Sequence, residues 1–67
     1  MVYLKSSAIS RAEYISQRST LRIWFVESGG PYDFYRVPER IYLGLISARS
    51  AGTYFNDHIR DQYSSNR

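Results

Sequence analysis

The sequence predicts a small α+β domain: a three-stranded antiparallel β-meander followed by two short helices packed on one face, in the order β-β-β-α-α. Three observations lead there. Apolar residues alternate with period two across residues 20–26, a Ser28-Gly29-Gly30-Pro31 turn follows, and from Ile41 onward the apolar spacing changes to steps of three and four. Consecutive strands joined by short turns pair antiparallel, which makes the sheet a meander.

The elements follow in order. Residues 12–17, Ala-Glu-Tyr-Ile-Ser-Gln, carry a weak strand signal, and Arg18-Ser19 reads as a turn. The clearest strand is residues 20–26, where Leu21, Ile23 and Phe25 fall on one face and Arg22, Trp24 and Val26 on the other. The first set is expected in the core. Glycines free to take positive φ, followed by a proline, set up a hairpin to the partner strand at residues 32–37. Pro38 suits a first helical position, and Glu39 places a negative charge at the positive helix end. Ile41, Leu45 and Ala48, with Tyr42 and Ile46 beside them, form the apolar stripe of a helix that covers the sheet. Ser50 is the expected N-cap of a second helix. In it Phe55, Ile59 and Tyr63 recur every four residues, and Asn56 and Arg60 share a neighbouring stripe. Residues 64–67 are expected to be a flexible tail. No repeat or linker interrupts the chain, so residues 1–67 read as a single domain.

Composition narrows the function classes. Of the 67 residues 43% are apolar and 16% aromatic, too rich a mixture for disorder, although so short a chain stabilises itself only marginally. Cysteine is absent, which removes disulfides and thiolate-held zinc and points to a reducing, cytoplasmic setting. No apolar run is long enough for a signal peptide or a membrane span, so no membrane partner is expected. The net charge of +3 comes from eight arginines and one lysine against six acids. Arginine's planar fork suits phosphates and carboxylates and stacks on aromatic faces. Pairing with Glu13, Glu27, Glu39, Asp57 and Asp61 on a solvated surface is the alternative to an anionic partner, and composition leaves both open.

Three strings of residues carry a family resemblance: Ser6-Ser7-Ala8-Ile9; a Tyr-x-aromatic pair, Tyr32-Asp33-Phe34, followed by Val37-Pro38; and Ser50-x-Gly52-x-Tyr54-Phe55-Asn56-x-x-Ile59-Arg60-x-x-Tyr63. The chain resembles the KTSC domain family over nearly its whole length, the last string being the specific part. That family takes its name from the C-terminus of some lysyl-tRNA synthetases and also occurs as free-standing small proteins. The resemblance implies a small α+β fold and a function usually described as unknown, with RNA binding suggested. One departure stands out: the family's central Tyr-x-Tyr here ends in Phe34, losing a hydroxyl.

Catalysis has little to work with. There is one histidine, no cysteine and no obvious carboxylate pair. His58 and Asp61, three apart on a helix, could form a base and its orienting acid, but a helix-surface histidine beside an acid is more often an ordinary solvated pair. With Asp57 they are too few to hold a metal. No enzyme, cofactor or metal is therefore expected.

Binding is better supported. The helices cover one face of the sheet, so Trp24 on the other must be covered by the N-terminal segment, by a homodimer partner or by a stacked nucleobase. Tyr32 and Phe34 share one strand face and Tyr35 the other, so one set serves the core and the other is free to stack. The candidate ligand-binding residues are Arg22, Trp24, Tyr32, Tyr35, Arg36, Asn56 and Arg60, with arginines on phosphates and rings on bases. The expected partner is RNA or another anionic ligand. A protein partner or second copy bound through the sheet face, and a nucleotide or cyclic dinucleotide, are the alternatives.

Overall fold

The computed structural model describes residues 1–67. Its sheet has four strands, β1 (Val2–Tyr3), β2 (Ile9–Ile15), β3 (Thr20–Phe25) and β4 (Gly29–Phe34), ordered as in the chain and antiparallel throughout. Two helices follow, α1 (Glu39–Ser47) and α2 (Ala51–His58). The α+β class and the β-meander are as expected, but the strand count is corrected from three to four. The extra strand is two residues long, Val2 opposite Ala12 and Tyr3 opposite Arg11, and so short a run carries no periodicity by which to recognise it.

The strand bounds also move, for identifiable reasons. The second strand begins at Ile9 instead of Ala12, because the Ser6 hydroxyl accepts from the Ala8 and Ile9 N–H groups (3.1 and 3.2 Å) and turns the chain into the sheet there. A register shift between Ile9 and Arg11 leaves Ser10 as the extra residue of a bulge. Without it Ile9 and Ala12, three apart, would face opposite ways; both are fully buried. The fourth strand runs Gly29–Phe34 and not 32–37, since Gly29 and Gly30 (φ 73° and 137°) enter the pairing and Arg36, at φ 57°, ends it. A Cβ on Gly30 would lie 2.9 Å from the Ile23 carbonyl oxygen, so this close hairpin needs glycine.

Leu21, Ile23 and Phe25 lie in the core as their alternation requires, meeting Ile9, Ala12, Phe34 and Val37 from the sheet side and Ile41, Leu45, Phe55 and Ile59 from the helices and the turn after α2. Ser50 caps α2 by accepting from the Thr53 N–H at 3.2 Å. Pro38 holds the N-cap of α1, one residue before the first helical position. The second helix stops at His58, before Tyr63, because Ile59 leaves helical geometry. Helix α1 meets α2 closely at Gly44, where a Cβ would overlap the Tyr54 ring. No helix is long and apolar enough to cross a membrane.

The tail differs from expectation. Ser65 forms a β-bridge with Phe34; the Tyr35 N–H donates to the Ser64 carbonyl (2.9 Å), the Asn66 N–H to the Asp33 carbonyl (3.1 Å) and the Asp33 N–H to Asn66 Oδ1 (2.8 Å). The edge of β4 has otherwise unpaired backbone groups, and residues 64–66 supply them with partners.

Candidate functional site

The seven candidate residues do not share one surface. Arg22, Trp24 and Tyr35 go with the open face of the sheet, Asn56 and Arg60 with a cleft at the end of α2, Tyr32 with the rings beside that cleft, and Arg36 with the exposed connection between β4 and α1.

On the open face the charges satisfy one another. Arg22 stands between Glu13 and Asp33 in neighbouring strands. Its Nε donates to Asp33 Oδ1 at 2.7 Å and its second nitrogen to Oδ2 at 3.2 Å, while Glu13 lies 3.8 Å away. That two-pronged hydrogen bond holds the Asp33 carboxyl below its ordinary range, against the opposing effect of desolvation, and raises the Arg22 guanidinium. In the next row Tyr3, Arg11 and Trp24 are cross-strand neighbours, and the Arg11 guanidinium lies 4.4 Å from the Trp24 ring centroid and 5.8 Å from that of Tyr3. The cover over Trp24 is thus an arginine of the neighbouring strand β2. Tyr35 remains 40% exposed beyond the end of β4.

The cleft is built differently. It has a volume of about 680 Å³ and opens between the start of β2, the β3–β4 turn, α2 and the C-terminal segment. Phe25, Phe34 and Phe55 give it an aromatic wall, with Phe55 edge-on to both others at 5.2 and 5.4 Å. Tyr32 packs on Phe25 at 5.8 Å. One turn of helix and the bend after it bring Asn56 and Arg60 to this opening. Arg22 is the only arginine in an ion pair, so Arg60 carries its charge with no carboxylate partner. Arg67, placed in the tail by sequence, reaches the same cleft, its guanidinium 4.1 Å from the Phe25 centroid. Sequence reasoning missed Arg67, Ser7, Ser28, Glu27 and Asp61 as neighbours of Arg60. Only the unpaired β4 edge, which demands a partner, signals where the tail goes.

No three His, Asp or Glu side chains cluster as a metal site would require. His58 lies against Tyr54, ring centroids 4.4 Å apart and planes tilted by 40°, and makes no ion pair with Asp61.

The three strings that carry the resemblance converge here: the first contributes Ser7, Ala8 and Ile9, the second Phe34, the third Gly52, Phe55, Asn56 and Arg60, more than half of the fourteen residues around the cleft. Gly52 matters to its shape, since a Cβ there would meet that of Ala8 at 3.0 Å. The family model for the KTSC domain matches residues 5–63. The chain belongs to the KTSC domain family. Among solved structures it is similar to the crystal structure of a KTSC domain protein from Yersinia pestis, at 30% identity and a TM-score of 0.93, covering 98% of this chain and 92% of that one. No curated protein matches the chain. As a KTSC domain it carries its family-matching residues in two roles: Ser6 and Ile9 start β2, and Asn56 and Arg60 reach a cleft with side chains uncommitted to any ion pair.

Proposed function

We propose that this KTSC domain is a non-enzymatic binding module that takes a phosphate-bearing ligand, RNA first, into the cleft at the end of α2. The observation that carries the reading is Arg60, in no ion pair, beside Asn56 and an aromatic wall in one opening. A guanidinium gives a phosphate two parallel donors, an amide reads the donor and acceptor pattern of a base edge, and flat rings accept bases by stacking. The carboxylates of Glu27 and Asp61 line the same cleft and suit sugar hydroxyls, which donate. The volume also falls in the range of small-molecule sites, so a single nucleotide or cyclic dinucleotide fits the chemistry as well as an RNA end.

Fluorescence anisotropy with mixed RNA and DNA oligonucleotides at low salt tests this. Binding is expected in the micromolar range, with Arg60→Ala weakening it for all sequences alike and flattening the log–log salt slope by about one. No binding at tens of micromolar ends the reading. A protein-interaction role is favoured by a different observation: the helices leave one face of the sheet open, with Tyr3 73% and Tyr35 40% exposed. Light scattering with a pull-down tests that alternative, since a monomer at all concentrations that captures no partner argues against it.

A further inference from the structure

Residues 64–67 lie along β4 and end in a guanidinium stacked on the wall of the cleft. Arg67 is 4.1 Å from the Phe25 centroid and 5.4 Å from that of Tyr32, and Glu27 and Asp61 line the same space. Two rings with carboxylates nearby make a subsite for a flat cation or a flat ring, and the chain fills it itself. The hold on the rest of the strap is light: the two backbone hydrogen bonds of one β-bridge and the Asn66 side chain, with Ser64, Asn66 and Arg67 exposed. Exposed, sparsely bonded segments of this kind open locally without unfolding the domain.

We propose that the Ser64–Arg67 segment is a built-in competitor: Arg67 occupies a ring-stacking subsite on Phe25 and Tyr32, and a ligand gains that subsite by displacing the strap. The proposal rests on the reading of the cleft as the binding site and adds its regulation. A strap closed in nine molecules of ten withholds roughly tenfold in apparent affinity, because only the open fraction binds. Asn66 and Arg67 then act together, the first holding the strap on Asp33 and the second filling the subsite.

Two titrations of the chain, residues 1–67, test it, using the wild type, Arg67→Ala and Asn66→Ala. In the first, N-acetylarginine amide is added while the ring signals of Phe25 and Tyr32 are followed by NMR. Arg67→Ala is expected to respond at millimolar probe and the wild type is not; an equal response in both, or none in the variant, overturns the proposal. In the second, AMP is titrated, with affinity expected to rise about tenfold in Arg67→Ala and about threefold in Asn66→Ala. Weaker AMP binding by Arg67→Ala makes Arg67 a ligand clamp and overturns the competitor role. If AMP binds none of the proteins while the arginine amide response still depends on Arg67, the nucleotide reading of the cleft fails and the self-occupied subsite stands.

Discussion

The open face of the sheet and the cleft are made of the same residue types, arginines, acids and aromatic rings, yet they differ in what those groups have left to offer. On the open face Arg22 is held by Asp33 and Glu13, and Arg11 lies over Trp24. In the cleft Arg60 makes no ion pair, and the cation over the Phe25 ring is the arginine of the tail. The difference arises from strand pairing. Cross-strand neighbours stand about 5 Å apart, so an arginine flanked by acids finds them as soon as the sheet forms. Residues gathered from a loop, a helix end and a tail have no register to pair them.

The largest test asks whether the cleft wall belongs to the core while the open face does not. Phe55→Ala removes a ring that packs edge-on to both Phe25 and Phe34, and is expected to cost about 3–5 kcal/mol, close to the whole stability of so small a domain. Tyr3→Ala on the open face should stay under about 0.5 kcal/mol. Urea denaturation measures both, and comparable costs would erase the distinction between the two regions.

Next comes a reciprocal pair of substitutions. Arg60→Ala is expected to weaken oligonucleotide binding about tenfold with a melting temperature within a degree or two of the wild type, since Arg60 is exposed and unpaired. Arg22→Ala should do the reverse, lowering stability by about 1 kcal/mol through loss of the two-pronged pair while leaving affinity unchanged. If Arg22→Ala were the variant that lost affinity, the open face would be the site.

That reciprocity also shows what the sequence made legible. Alternation in residues 20–26 placed Leu21, Ile23 and Phe25 in the core, and Ser50 announced its cap, because period and capping are local properties. The candidate site was half legible. Asn56 and Arg60, one helical turn apart, did arrive together, whereas Arg22 was grouped with them although its partners, Glu13 and Asp33, lie 9 and 11 positions away in the chain. Pairing across strands depends on register, and register here contains two irregularities, one near Ser10 and one at the glycine turn. Arg67 was out of reach for a further reason. Its place follows from hydrogen bonds to an edge strand whose own end had been set three residues too far along.

A smaller effect sharpens the account of the open face by pH. Arg22 depresses the Asp33 carboxyl below its ordinary 3.8 in the folded chain, so the pair's contribution is complete above the unfolded value and is lost as pH falls through the lowered one. Stability should therefore be flat with respect to this pair from pH 7 to 5 and fall in the acid range below about 4. Asp33→Asn should cost roughly 0.5–1 kcal/mol at pH 7 and lose part of that acid sensitivity. Thermal melts of both proteins at a series of pH values show whether the two curves converge at low pH.

The smallest expected effect bears on Trp24. It is the only tryptophan, so its fluorescence reports the open face without interference from other indoles. Arg11 covers the ring and also donates to the Tyr3 hydroxyl at 3.3 Å, and removing it as Arg11→Ala should cost under about 1 kcal/mol while shifting the emission to the red as water reaches the indole. Arg11→Lys keeps the charge but not the flat stacking surface, and should fall between the two. An oligonucleotide bound in the cleft leaves the Trp24 emission of the wild type unchanged. Quenching of the wild-type indole on RNA addition would mean that a base had displaced Arg11, and the roles assigned to the two regions would have to be exchanged.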